Sequence, residues 1–150
     1  MSTSSGKLAN DSGIIGERVI SDFFESKKIK IMSYSQWNKT GCVNVLVSQF
    51  PFTNIYGRGA RIDFAYINKD GKVFGIEAKR QNVPGSVDEK IPFVMFNSTL
   101  DEFEKLYCVI SGKHWNDNPA IVRNLQELSK ITPKFKLLTE CNVSKLEEIL

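Results

Sequence analysis

Four polar residues in one short stretch could do chemistry together: Asp63, Glu77, Lys79 and Gln81, all within Arg61–Gln81 (RIDFAYINKDGKVFGIEAKRQ). Two carboxylates that face one another repel unless a cation lies between them. Lys79 is one such cation and a divalent metal is the other. Magnesium takes hard oxygen ligands, usually one or two carboxylates completed by water and phosphate oxygens. Asp63, Glu77, the backbone carbonyl of Ala78 and a further acid, Glu17, meet that need. A lysine two residues after the second acid stands on the metal's side. There it can hold or deprotonate a water, or stabilise charge developing at phosphorus. That combination suits hydrolysis of a phosphodiester.

Whether these groups meet depends on a hairpin register. Arg61–Asn68 is rich in β-branched and aromatic residues, Lys69-Asp70-Gly71 is a loop signature, and Lys72–Gln81 resumes the strand. A three-residue loop with a left-handed Gly71 pairs Asn68 with Lys72. It sets Asp63 opposite Glu77 and puts Lys79 and Gln81 on Glu77's face. A two-residue Asp70-Gly71 loop shifts the register by one and turns Asp63 to the other face.

The flanking elements must bring in the rest. Asn10-Asp11-Ser12 is an N-cap cluster, predicting a helix over Gly13–Lys28 with Ile14, Ile15, Val19, Ile20, Phe23 and Phe24 inward. Glu17 falls on that inward stripe, either paired with Arg18 or Arg61 or reserved for a site. Strands are predicted over Ile29–Tyr34 and Val43–Phe50, joined by a polar connection, Ser35–Gly41, that holds Trp37. Pro51–Ala60 reads as a loop containing Tyr56-Gly57-Arg58-Gly59, with Arg58 either a solvated charge or a phosphate contact. After the hairpin, Pro84-Gly85 turns the chain, and Ser86-x-x-Glu89 is a capping box that opens a helix to about Leu106, interrupted near Pro92. The box accounts for Ser86 and Glu89 but not for Lys90, which falls beside the Glu77 strand where a phosphate backbone would pass. Leu106–Ser111 reads as a buried strand and Gly112–Asp117 as a loop with His114 and Trp115. A helix from Asn118-Pro119 to Ile131, a strand over Lys134–Thr139 and a closing helix over Val143–Leu150 complete the chain. The order predicts an α/β fold with a central mixed β-sheet flanked by helices.

Composition narrows the classes. With 150 residues, the chain predicts a single domain over residues 12–150 behind a loose polar tail, 1–11. A net charge of +3 permits an anionic partner without demanding one. The single histidine, His114, excludes two-histidine metal sites within one chain, and three scattered cysteines make a disulfide framework or zinc cluster a poor reading. No apolar run is long enough to span a membrane, and Met1–Asn10 lacks the pattern of a signal peptide. Both features predict an intracellular protein.

Asp63, thirteen intervening residues, then Glu77-Ala78-Lys79 resembles the D…(D/E)-x-K signature of the PD-(D/E)XK nuclease superfamily, the restriction-endonuclease-like enzymes. Gly13-x-x-Gly16-Glu17-Arg18 is similar to the first helix of many members. EAKRQNVPGSVDEKIPF resembles a restriction-type subgroup in which the lysine strand leads into a Gly-Ser-x-x-acid-Lys helix start. Ile62 stands where the motif name has proline. The resemblance spans about residues 12–112 and implies an α-β-β-β-α-β core with an added C-terminal α-β-α. It implies Asp63, Glu77, the Ala78 carbonyl and Glu17 as ligands of Mg2+ (with Mn2+ as a substitute), Lys79 as the catalytic lysine and Gln81 as an orienting group. Arg58, Arg61, Arg80, Ser86 and Lys90 are the expected contacts to DNA. The activity expected is that of a Mg2+-dependent DNA endonuclease of restriction or homing/phage type. The alternatives are a junction resolvase or repair nuclease, and a non-catalytic DNA-binding module. Cutting both strands with one site per chain calls for a homodimer or homotetramer.

Overall fold

A computed structural model describes the backbone of residues 5–85 and 87–150 and the side chains of residues 13–85 and 87–150. The chain runs α1 (Ser5–Ser26), β1 (Lys30–Ser33), α2 (Tyr34–Thr40), β2 (Val45–Thr53), β3 (Gly59–Ile67) and β4 (Val73–Arg80). It continues through α3 (Val87–Asn97), β5 (Lys105–Ser111), α4 (Lys113–Asp117), α5 (Pro119–Leu128) and β6 (Phe135–Thr139). Short 3-10 segments follow α5 and β6, over Ser129–Ile131 and Glu140–Ile149. The six strands form one mixed sheet in sequential order. β2, β3 and β4 are antiparallel to their neighbours in the series, while β1 runs parallel to β2 and β4, β5 and β6 run parallel to one another.

Alternation along the strands feeds two faces. One face packs Leu46, Phe64, Tyr66, Ile76, Tyr107 and Val109 against Ile20, Phe23 and Phe24 of α1 and Leu146 and Ile149 of the closing segment. The other packs Cys108, Ile110 and Leu137 against Ile91 and Met95 of α3, Trp115 of α4 and Leu125 of α5. Toward the β1 edge that second face continues as Val45, Val47, Ala65 and Ile67, covered by Tyr34 and Trp37 of α2. This is the α-β-β-β-α-β arrangement expected, with β1 and α2 inserted and α5-β6-3-10 appended.

Several local expectations need correction. α1 runs through Asn10-Asp11-Ser12, so that cluster lies inside the helix and does not cap it. Ile14 and Ile15 are 55% and 48% exposed, because the face of α1 that meets the sheet passes through Gly16 and Ile20. Ser35–Gly41 is helical: Ser33 and Gln36 form a reciprocal capping box and Gly41 closes the helix in the left-handed region. Trp37 packs on Tyr34 and Phe50 and donates to the Cys42 carbonyl at 2.8 Å. Strand pairing carries β2 to Thr53 and starts β3 at Gly59, shrinking the predicted loop to residues 54–58. α3 passes through Pro92 without a break and ends at Asn97, where Ser98 and Thr99 hydroxyls bond back to the Met95 and Phe96 carbonyls. Gly112–Asp117 contains the short helix α4, with His114 and Trp115 buried, and the closing segment is a kinked 3-10 run. The predicted Ser86 capping box lies outside the described residues.

One crossing fixes the end of β4. Gly112 has φ +102°, and a Cβ there would lie 2.4 Å from the Gln81 carbonyl oxygen. That oxygen accepts from the His114 backbone N–H at 3.0 Å, while Gln81 N–H donates to the Ser111 carbonyl at 3.0 Å. Only glycine satisfies both the sign of φ and the space. Gly112→Ala is therefore expected to lower unfolding free energy by about 2 kcal/mol or more, read as a reduced urea midpoint with an unchanged slope.

Candidate active site

The hairpin register is the one the three-residue loop demands. Gly71 has φ +80°, Gly71 N–H donates to the Asn68 carbonyl and Asn68 N–H to the Lys72 carbonyl. Pairing then runs Ile67↔Val73, Tyr66↔Phe74, Ala65↔Gly75 and Phe64↔Ile76. One step further, Asp63 and Glu77 face each other, and there the ladder opens. Its phase calls for Ala78 N–H to bond the Ile62 carbonyl. Instead Ala78 N–H donates to Asp63 Oδ2 at 2.8 Å, and Asp63 N–H donates to Glu77 Oε2 at 3.2 Å. Each carboxylate thus replaces a backbone partner. A residue's N–H and C=O point to the same side of a strand, so the Ala78 carbonyl shares the opened edge with the Asp63 carboxylate.

A matched twist opens the fork. Gln49, across from Asp63 on β2, has φ +53°, and pairs persist on either side of it (Ser48↔Phe64, Phe50↔Ile62). Phe64 and Tyr66 pack under α1, whereas Ile62 packs toward α3. The alternation along β3 inverts at Asp63. Asp63 can therefore reach Glu17 of α1 as well as β4, while Glu77 and Lys79 turn to the α3 side.

On that side lies a cleft of about 450 Å3. Glu77, Lys79 and Leu106 line it with Phe52, Tyr56, Ala60, Arg61 and Ile62, and α3 closes it through Glu89, Lys90, Phe93, Val94 and Asn97. Lys79 Nζ lies 3.0 Å from Glu77 Oε1.

Burial raises the Asp63 carboxyl from its ordinary range to about 6; the Ala78 amide opposes this, and the charge of Glu17 adds to it. Glu77 is also pushed up, first by burial and then by Asp63, with Lys79 offsetting part of the rise. Burial works against the Lys79 ammonium, yet its pairing with Glu77 prevails and holds it above the usual lysine range. Cys108, opposite Glu77 on β5, is fully buried, and burial pushes its thiol up so that it stays neutral.

Of the residues singled out from the sequence, the fold brings together Asp63, Glu77, Lys79 and the Ala78 backbone, with Glu17 reaching Asp63. Among the described residues no three His, Cys, Asp or Glu side chains are grouped as a ready metal cage. The donor set at the fork is two carboxylates and a carbonyl, which matches a hard cation that keeps several waters. Arg61 and Lys90 are exposed at the cleft. Arg58 is exposed on the 54–58 loop. Arg80 faces the other way, its Cβ 3.3 Å from where a Cβ on Gly16 would sit. Gln81 is committed to β5 and α4 by its backbone, and its buried side-chain nitrogen, beside Gly85, has no partner among the described residues. Ser86 lies outside the described residues. The left-handed backbone of Gln49 has no signature in sequence, and the spacing of Phe93 and Asn97 reads as ordinary helix, so nothing local marks these three for the site.

A model of the PD-(D/E)XK nuclease superfamily domain matches residues 8–150. The chain belongs to that superfamily. No curated protein and no solved structure matches it significantly. Members of the superfamily generally use divalent metals such as Mg2+, in keeping with the oxygen donors at the fork.

Asp63 titrates higher in the folded protein than at its ordinary 3.8, so folding favours its protonated form. Its penalty is absent below about pH 4 and complete above about pH 6. In the metal-free protein, Asp63→Asn should raise unfolding free energy at pH 7.5 by about 1–3 kcal/mol and leave stability at pH 4 little changed. Thermal melts of both proteins in EDTA at the two pH values check this.

Proposed function

We propose that this protein is a Mg2+-dependent endonuclease that hydrolyses phosphodiester bonds of DNA in the cleft between β3–β4 and α3, with Mn2+ able to replace Mg2+. The observation that carries the reading is the Asp63–Glu77 pair. Two carboxyls whose charges are disfavoured stand at an opened ladder, with Lys79 Nζ 3.0 Å from one of them. Such a pair gains most from a cation, and the fork offers that cation a third oxygen in the Ala78 carbonyl.

A divalent ion held by Asp63, Glu77 and Ala78 would supply Lewis acidity toward a phosphate oxygen. The chain supplies the rest. Lys79, held protonated, places a positive charge where the phosphoryl oxygens gain negative charge. Glu17, against Asp63, orients that carboxylate and can accept a hydrogen bond from the attacking water. Arg61 and Lys90 at the cleft, with Arg58 on the adjoining loop, draw the DNA backbone inward. Cleavage of both strands calls for a homodimer or homotetramer, and the protein works inside the cell.

Relaxation of supercoiled plasmid in Mg2+ tests the reading. Lys79→Ala should slow nicking by about 100-fold or more, the scale of losing one electrostatic stabiliser. Equal rates for wild type and variant, or no nicking by wild type in either Mg2+ or Mn2+, would overturn it. Titration calorimetry with Mn2+ should give binding heat for wild type and none for Asp63→Ala. Absence of heat from both would sink the metal assignment.

A further inference from the structure

We infer that Tyr56 is a stacking platform for an unpaired nucleobase at the mouth of the catalytic cleft, so that the preferred substrate presents a single-stranded or branched segment there. The inference rests on the nuclease reading for its ligand class and on separate residues for its geometry.

Tyr56 is 72% exposed, the most exposed large hydrophobic side chain described. Its ring nonetheless has a packing partner: it lies almost parallel to Phe93 of α3, with centroids 5.6 Å apart and planes 10° apart. Both rings line the cleft that holds Glu77 and Lys79. One face of Tyr56 is thus backed by Phe93 and the rest is open to solvent.

The turn beneath the ring is built to hold it. Asn54 Oδ1 accepts from the N–H groups of Tyr56 at 2.9 Å and Arg58 at 3.2 Å, and Arg58 C=O accepts from Asn54 N–H at 2.8 Å. Asn97 on α3, 3% exposed, accepts from Ile55 N–H at 3.1 Å. A solvated loop aromatic needs no buried asparagine from a neighbouring helix. An aromatic ring fixed before the ligand arrives loses little entropy on binding.

The surroundings select the occupant. Arg61 and Lys90 line the same cleft, and Arg58 lies on the Tyr56 turn. Cations beside an open aromatic face form the site of a nucleic-acid strand, with phosphates held by charge and a base stacked on the ring. Bases in an intact duplex are stacked on one another and cannot offer a face, so the platform discriminates by strandedness.

The test measures binding in EDTA by fluorescence anisotropy, using wild type, Tyr56→Phe and Tyr56→Ala with one oligodeoxynucleotide in single-stranded and duplex form. Tyr56→Ala should weaken single-strand binding about 10-fold, within the range for stacking one base. Tyr56→Phe should bind as wild type does, and duplex affinity should change less than twofold. Unchanged single-strand binding by Tyr56→Ala, or an equal loss on both forms, would overturn the platform. Because no turnover is needed, a lost stacking effect with normal Mg2+-dependent nicking refutes the platform alone. Selective loss of single-strand binding without any nicking refutes the nuclease reading alone.

Discussion

The candidate site depends on a ladder that stops one pair early. A continued β3–β4 ladder would satisfy the backbone groups of Ile62 and Ala78 and leave Asp63 and Glu77 as an ordinary cross-strand pair of like charges, itself unfavourable. The chain instead lets side-chain carboxylates take over the strand-end amides of Asp63 and Ala78. The acids are therefore structural as well as available. Their hydrogen bonds fix where the oxygens point, and their burial stores repulsion that Lys79 relieves only in part. Two buried carboxyls poised in this way cost the fold stability, which is the usual relation between a preorganised polar site and the fold that carries it.

What holds the fork open is packing rather than charge. Ile62, in place of the motif's proline, is buried against the α3 side, and its terminal methyl fills the space that a side chain at position 75 would need. Gly75 and Ile62 interlock, so β3 leaves β4 beyond Phe64 with an apolar anchor where proline would otherwise restrict the backbone. Gln49 completes the twist from the β2 side. A left-handed non-glycine residue inside a strand costs about 1–2 kcal/mol, and the cores on both faces over-determine it. Strain and burial sit on either side of Asp63 for the same reason: both turn that residue out of the pleat.

Much of this was legible in residue order. The Lys69-Asp70-Gly71 loop fixes register because a left-handed third residue permits one pairing only, and that pairing dictates the Asp63–Glu77 encounter. Glu17 on an apolar stripe was legible as an acid pointing inward, although Ile14 and Ile15 misled about the stripe's width. Other features were hidden for physical reasons. The helix over Tyr34–Thr40 depends on a Ser33–Gln36 box whose apolar face is too short to show a period. The inversion at Gln49 arises from tertiary packing and leaves no trace in propensity. The Asn97–Ile55 bond joins residues 42 positions apart, which no local pattern encodes.

The division of charge across the cleft gives the arrangement its direction. Glu77, paired with Lys79, lies in the cleft where burial penalises its charge, and Arg61, Lys90 and Glu89 stand exposed around it, where solvent screens them. On the nuclease reading, a polyanion would gain screened attraction from Arg61 and Lys90 at little desolvation cost, and a counter-ion beside Glu77 would offset the repulsion it meets further in. On the same reading, the geometry that disfavours two bare carboxylates would make phosphate and cation mutually dependent ligands. Each would then lower the electrostatic cost of the other, a positive coupling that is reciprocal by linkage. The 54–58 turn and α3 meet through the stacked rings of Tyr56 and Phe93, which together wall one side of the cleft that holds Glu77.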